Sequence, residues 1–146
     1  MLIGEYTHST DDKNRISLPS KFRSEIGKKI VATYGLDNCL FLFPLKEWQV
    51  IAKKLSERGM LQADTRGFNR FMLGGATEIE VDSIGRILLP DYLREFAGVD
   101  GKKSNAVFVG VYDKVEVWSE KRWKEYKKKV VGEADGLAEK LGQVGL

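Results

Sequence analysis

Hydrophobic and polar positions follow the same order in the two halves of this chain. Each half has a polar turn and then a short run in which apolar and polar residues alternate, as in a half-buried strand. A proline ends this run, and apolar residues at helical spacing and a glycine follow it, which predicts a short helix. The pattern places strands at 15–18 and 86–89, and it ends the two helices at Gly27 and Gly98.

Two further apolar runs follow in each half and predict a pair of strands. The strands span 30–34 and 39–43 in the first half, and 106–111 and 115–118 in the second. An amphipathic helix is predicted after each pair, around Trp48 in the first half and around Trp123 in the second. Both tryptophans are expected to pack in the core.

The segments outside these elements carry weaker patterns. Residues 58–72 predict a loop followed by a strand that enters the second half, with Phe68, Phe71 and Leu73 packing against the core. The last fifteen residues contain four glycines, which disfavour a helix. A frayed tail is therefore expected at this end of the chain.

The two halves also share residues, so their common order is a sequence repeat. DDKNRISLP at 11–19 matches DSIGRILLP at 82–90 at an offset of 71 residues (82 − 11). The repeats are assigned to 5–47 and 76–119, a helix and connector to 48–75, and a closing helix and glycine-rich tail to 120–146. Because neither repeat can bury a full core alone, we expect an α+β, β-rich fold in which both pair about a pseudo-twofold axis into one β-barrel.

Two of the recurring polar positions suit a tight turn. Asp11 and Asp82 fit the start of the turn, because a carboxylate accepts hydrogen bonds from backbone N–H groups two residues on. Asn14 and Gly85 occupy the position before the shared arginine, and these are the residue types that most readily take positive φ. The pattern therefore predicts a left-handed residue at this point of each turn.

The shared arginines, Arg15 and Arg86, are not required by a turn or by a strand. The alternation places Lys13, Arg15 and Ser17 on the face opposite the apolar one. We therefore expect Arg15 and Arg86 to stand together at one end of the barrel and to bind phosphate or a guanine edge. Two structural alternatives stay open, in which each arginine pairs with the aspartate of its own turn or is a solvated strand end.

Composition argues against several other functions. The 146 residues include one cysteine, Cys39, and one histidine, His8, so neither an internal disulfide nor a usual zinc site is expected. Cys39 lies in an apolar run and is expected to be a buried small hydrophobe. Because no nucleophile with a matching base and no phosphate-binding glycine loop occurs, we expect no enzyme, metal, cofactor or small-molecule substrate.

Charge and hydropathy bear on partners and on location. The net charge is only +3, but residues 11–29 carry +3 (six basic, three acidic) and residues 78–103 carry −2 (four basic, six acidic). A DNA partner is thus expected to contact the first repeat more than the second, whereas the basic run at 121–129, interrupted by glutamates, is expected to be a solvated helix face. Since no signal peptide or membrane-spanning run is found, a cytoplasmic protein without a membrane partner is expected.

The repeated motif is similar to that of a known family. D-x-x-G-R-I-x-L-P at 82–90 resembles the signature of AbrB/MazE/SpoVT-type barrels, and two copies in a chain of this length, with GEY at 4–6 and LGGA at 73–76, resemble MraZ. The resemblance implies a pseudo-twofold, swapped-hairpin β-barrel with short helices, and a bacterial transcriptional regulator that binds double-stranded DNA. It also implies a homo-oligomeric ring that acts at the nucleoid, on direct repeats in the promoter of the division and cell-wall gene cluster.

The resemblance also implies which residues bind DNA. The family's D-x-x-x-R element contacts DNA, and by position it falls on Asp11 and Arg15 in the first repeat and on Asp82 and Arg86 in the second. Lys13 lies on the same strand face as Arg15 and joins this expected DNA-binding set.

One residue departs from the family pattern, and one alternative function stays open. The family usually has glycine where this chain has Asn14, but asparagine also takes positive φ, so the turn is expected to keep its shape. The alternative function is an antitoxin-like barrel or other protein-interaction module. The glycine-rich tail counts against it, because it lacks a long apolar segment that a protein partner would bind.

Overall fold

Eight strands and six helices make up the computed structural model, which describes residues 1–101 and 104–145. The strands are β1 (Leu2–Ser9), β2 (Arg15–Ser17), β3 (Lys29–Tyr34), β4 (Leu40–Pro44), β5 (Thr77–Glu80), β6 (Arg86–Leu88), β7 (Asn105–Tyr112) and β8 (Val115–Ser119). The helices are α1 (Ser20–Ile26), α2 (Leu45–Ser56), α3 (Ala63–Met72), α4 (Asp91–Ala97), α5 (Glu120–Gly132) and α6 (Ala134–Gln143). The expected α+β, β-rich class is confirmed.

Each repeat gives its first strand to the hairpin of the other repeat. Six strands form one antiparallel sheet in the order β1-β7-β8-β4-β3-β5, while β2 and β6 form a separate two-stranded ribbon. Within the sheet, β1 pairs with β7 of the second repeat, and β5 pairs with β3 of the first. This exchange is the one expected of a swapped hairpin. Among the described strands, the sheet ends β1 and β5 are not paired with each other, so the barrel is not closed.

A pseudo-twofold axis passes through two strand pairs. Ile16 faces Ile87 in the β2–β6 ribbon, and these are equivalent residues of the two repeats, 71 positions apart (87 − 16). Phe41 faces Glu116 where β4 meets β8, and these are again equivalent, 75 positions apart (116 − 41). A twofold axis pairs equivalent residues in this way, so the expected symmetry is present.

The ribbon lies on a core that both repeats build together. Pro19 and Pro90 directly precede α1 and α4, and Gly27 and Gly98 follow these helices with φ of 83° and 73°. Proline suits a helix start, and glycine takes positive φ without strain, so the helix ends fall where the sequence predicts them. The residues that hold the ribbon and both helices on the core are fully buried; they are Ile16, Leu18, Phe22, Ile26, Ile87, Leu89, Leu93 and Ala97.

Two segments differ from the predictions. Residues 58–72, predicted to be a loop and a strand, contain α3, which is held by Phe71 stacked on Tyr34 (ring centroids 4.8 Å apart) and by buried Met72. Phe68, expected to pack, is 40% exposed, with its ring centroid 6.2 Å from that of Phe71. The tail, predicted to be frayed, forms α6, although its side chains are exposed throughout. Both segments therefore form helices although each contains glycine, which disfavours a helix.

The single cysteine and the tryptophans lie where the sequence placed them. Cys39 is buried, and burial raises the pKa of its thiol well above the usual range. Trp48 and Trp123 pack at the edge of a second apolar cluster that contains Cys39, Phe43 and Trp118.

No described helix is long and apolar enough to cross a bilayer. Likewise, residues 1–101 and 104–145 hold no group of three histidine, cysteine, aspartate or glutamate side chains placed to bind a metal ion.

Candidate nucleic-acid interface

The turn before β2 is built around the Asp11 carboxylate. Its Oδ1 accepts hydrogen bonds from the backbone N–H groups of Lys13 and Arg15, both at 2.9 Å. The Asp11 N–H donates to the Arg15 carbonyl at 2.8 Å, and Asn14, with φ of 61°, closes the turn by donating to the Asp11 carbonyl. Asparagine therefore takes the left-handed position that the sequence predicted for it.

The turn before β6 repeats this geometry. Oδ1 of Asp82 accepts from the backbone N–H groups of Ile84 at 3.0 Å and Arg86 at 2.8 Å. Gly85 has φ of 85°, and its N–H donates to the Asp82 carbonyl at 3.0 Å. The two turns are thus the same structural unit in different sequences.

Each arginine is held by the aspartate of its own turn. Nε of Arg15 donates to Oδ2 of Asp11 at 2.8 Å, and Nε of Arg86 donates to Oδ2 of Asp82 at 2.7 Å. The structure thus contains the ion pair that was one structural alternative. A guanidinium has five N–H donors and Nε carries only one of them. In the described part of the chain, the terminal nitrogens of Arg15 donate no hydrogen bond.

The two turns also lie next to each other. Nη1 of Arg86 is 3.8 Å from Oδ2 of Asp11, so a cation of the second repeat approaches the carboxylate of the first. Arg15 and Arg86 therefore stand together, as the sequence predicted. Lys13 is exposed at the tip of the first turn, beside them.

The aspartates act as fixed anions that orient the arginines. Burial by itself would raise the pKa of the Asp11 carboxyl, but hydrogen bonds from the backbone of Arg15 and Lys13 and from the Arg15 side chain lower it below its usual value overall. For Asp82, the backbone hydrogen bond from Arg86 is the largest cause, and the pKa of this carboxyl is also lowered. Both carboxylates are therefore charged at neutral pH and hold Nε of each arginine.

The outward face of the ribbon carries both arginines. Ile16 and Ile87 point into the core, so their strand neighbours point away from it. The outward residues are Arg15 and Ser17 of β2, and Arg86 and Leu88 of β6. Arg15 faces Leu88 across the ribbon, and Ser17 faces Arg86. This face and the two turns form one surface that can present several guanidinium donors to one ligand.

Sequence reasoning did not single out a third arginine at this surface. Arg23 of α1 is exposed, and its Nε donates to the Leu18 carbonyl at 2.9 Å. Its guanidinium lies against Gly85, since a Cβ added at Gly85 would collide with Cζ and Nε of Arg23. An arginine of the first repeat thus extends over the turn of the second.

The equivalent arginine of the second repeat is neutralised. Arg94 is buried, donates to the Leu89 carbonyl, and forms ion pairs with Asp91 and Asp100. The first repeat has Ser20 at the position that corresponds to Asp91 (91 − 20 = 71). No carboxylate of the described residues pairs with Arg23. Serine in place of the aspartate was the sequence signal that distinguishes the two arginines.

Comparison with known proteins gives consistent matches over the whole chain. Residues 1–71 and 72–140 each match the family model for the MraZ protein, which is described as antitoxin-like. A protein of Syntrophomonas wolfei named transcriptional regulator MraZ is 47% identical over 146 residues, which is 100% of both chains. Proteins of the same name from Moorella thermoacetica and Clostridium tetani are 48% and 40% identical over 97% and 100% of this chain, and over 96% and 100% of their own.

Proposed function

Because this chain belongs to the MraZ family, we propose that it is a sequence-specific transcriptional regulator that binds double-stranded DNA and has no enzymatic activity. Arg15, Arg86 and Lys13 contact the DNA, and Asp11 and Asp82 orient the arginines. The protein acts in the cytoplasm at the nucleoid, on direct repeats in the promoter of the division and cell-wall gene cluster. It does so as a homo-oligomeric ring.

The observation that carries the proposal is the approach of the two D-x-x-x-R turns to one another. Arg15 and Arg86 are each held at Nε by the aspartate of their own turn, and Nη1 of Arg86 lies 3.8 Å from Oδ2 of Asp11. Exposed ion pairs contribute little to stability, about 0–1 kcal/mol. Two such units on one face are better explained as donors held ready for phosphate oxygens and base edges.

Assembly into a ring would compensate for the weak overall charge. The net charge of one chain is only +3, so a monomer would attract DNA weakly. Several subunits on the same duplex gain affinity through effective concentration, without any new contact. Repeated subunits would also match direct repeats in the promoter.

A fluorescence-anisotropy titration tests the proposal. Purified protein is titrated against labelled duplex from upstream of its own gene and against a scrambled duplex of equal composition, across a series of salt concentrations. We expect tight binding to the native duplex, much weaker binding to the scramble, and an affinity that falls steeply with salt because phosphate contacts release counterions. Equal and weak binding to both duplexes would contradict the proposal.

Replacing Arg86 with alanine is expected to weaken DNA binding less than the same change at Arg15. Arg86 lies in the acidic repeat, where residues 78–103 carry a net −2, although Lys102 and Lys103 of that count lie outside the described residues. Arg15 would remain in the basic repeat, still paired with Asp11. The affinities of the two variants for the native duplex decide the order, and a larger loss at Arg86 would contradict the charge argument.

Replacing Asp11 with asparagine separates the orienting role of this residue from simple charge repulsion. Asparagine keeps an oxygen that can accept from the Lys13 and Arg15 N–H groups, but it loses the ion pair with Nε of Arg15. If orientation matters, affinity falls by about three- to tenfold, although one negative charge near the DNA is removed. Tighter binding by Asp11→Asn, measured in the same titration, would show that Asp11 only repels DNA.

The alternative function, a protein-interaction barrel, is favoured by one observation. Leu137 and Leu141 of α6 are exposed, although both are apolar. If a protein partner binds this helix, a Leu137→Ser, Leu141→Ser double variant should lose that partner while its DNA affinity stays unchanged. DNA regulation explains the paired turns, which a protein-interaction barrel leaves unexplained, so DNA regulation is the preferred function.

A further inference from the structure

The two halves of the ribbon face are chemically different, although the backbone is pseudo-symmetric. Ser17 of β2 and Leu88 of β6 occupy equivalent positions (88 − 17 = 71), and both point away from the core. Leu88 is 52% exposed. The ribbon therefore places a leucine on one side of the axis and a hydroxyl on the other.

Leu88 lies between the two arginines that define the candidate interface. Arg15 faces it directly across the ribbon, and Arg86 is two residues earlier on the same strand face. Side chains directly opposite in an antiparallel pair have Cβ atoms roughly 5 Å apart. Any duplex that contacts both guanidinium groups must therefore also cover the leucine.

A surface that binds only phosphate would gain nothing from an apolar side chain at this place. The major groove, however, presents one apolar group at base level, the 5-methyl group of thymine, next to the oxygen and nitrogen atoms that arginines read. Cytosine, adenine and guanine carry no such methyl group there. An exposed leucine between two arginines is complementary to a base step that contains thymine.

We propose that Leu88 is a specificity-determining residue that packs on the 5-methyl group of a thymine in the major groove. This inference rests on the proposed function, since it concerns the same DNA-binding face. Because Ser17 cannot make the equivalent contact, the two repeats read different bases. One subunit then binds a non-palindromic sequence in a single orientation, which is the requirement for reading direct repeats.

Uracil-substituted DNA tests the contact. The duplex from upstream of the gene is prepared with thymidine and, separately, with deoxyuridine at every thymine position, which removes only the methyl groups. The wild-type chain is compared with Leu88→Ser, which installs the residue of the first repeat. The matched control is Leu36→Ser, since Leu36 is 53% exposed but lies in the β3–β4 turn, outside the ribbon face.

The wild-type chain and Leu36→Ser are expected to bind the uracil duplex about fourfold more weakly for each methyl group contacted. Leu88→Ser is expected to bind both duplexes equally, with the same salt dependence as the wild type, because no charge is lost. Thermal unfolding of Leu88→Ser should match that of the wild type, since an exposed side chain contributes little to stability.

The outcomes that overturn the inference are distinct from those that overturn the proposed function. Specific binding by the wild-type chain that is equal for the thymine and uracil duplexes excludes the methyl contact. A preference for thymine that persists in Leu88→Ser assigns the contact to another residue. A lower sedimentation coefficient of Leu88→Ser places Leu88 between copies of the chain instead. Absence of specific binding to either duplex by the wild-type chain overturns the proposed function itself.

Discussion

Replacing Arg15 with alanine is expected to remove most DNA binding while the fold stays intact. Arg15 lies in the basic repeat, and the Asp11 carboxylate that holds its Nε is also 3.8 Å from Nη1 of Arg86. A bidentate arginine contact to a base is worth about 1–3 kcal/mol, so each subunit should lose roughly five- to 150-fold in affinity. In a ring that binds through several subunits, these losses would compound. Anisotropy titration of the native duplex measures the loss.

Two control variants make the Arg15 result specific. Arg15→Lys keeps the charge but lacks the guanidinium fork, so non-specific binding should survive while the preference for the native duplex falls. Lys121→Ala removes the same charge from an exposed position on α5, outside the ribbon face, and should have little effect. Thermal unfolding should be nearly unchanged in all three, because the Arg15–Asp11 pair is about one-third exposed and Lys121 is exposed. An Arg15→Ala protein that binds as well as the wild type would contradict the assignment.

The elements that could be predicted are those with strong local signals. Pro19 and Gly27 bound α1, and Asn14 takes positive φ as its residue type suggests. These features depend on backbone preferences of single residues, so they can be read from a few neighbouring positions. The candidate site was predictable for the same reason, since each D-x-x-x-R turn is built from hydrogen bonds within five residues.

The features that were missed depend on contacts distant in sequence. α3 contains Gly67, and its stability comes from Phe71 against Tyr34 and from the Thr33 hydroxyl, which donates to the Met72 carbonyl at 2.7 Å. Such contacts outweigh the cost of about 1 kcal/mol for a glycine in a helix. The position of Arg23 over Gly85 likewise follows from the meeting of the two repeats, which no single segment encodes.

The family resemblance predicted the exchange of strands, and the pseudo-twofold symmetry predicted that equivalent residues would pair. The hydrophobic pattern of each segment, however, did not show which strands are neighbours. His8 pairs with Ala106 and Ile30 pairs with Ile79, so both edges of the sheet join residues about 50 to 100 positions apart. Because the edge strand of each repeat pairs with the other repeat, neither repeat can keep its sheet when the other unfolds.

Replacing Phe108 with alanine is expected to destabilise the whole chain. Phe108 is fully buried in β7, which pairs with β1 of the first repeat on one side and with β8 on the other. Deleting a buried phenylalanine side chain costs about 3–5 kcal/mol, a large part of the roughly 5–15 kcal/mol that stabilises a domain. Denaturant unfolding followed by far-ultraviolet circular dichroism measures the lost free energy of unfolding.

The exchange of strands also predicts how many unfolding transitions the same experiment should show. Because β1 and β7 belong to different repeats, the destabilised chain should unfold in one transition, with circular dichroism and tryptophan fluorescence coincident. Trp48 lies in the first repeat's closing helix and Trp118 in the second repeat, so the fluorescence signal covers both. Tyr112→Ala, on the same strand but 72% exposed, is the matched control and should change the free energy of unfolding little. Two separate transitions in Phe108→Ala, with one repeat still folded, would show that the repeats do not depend on one another.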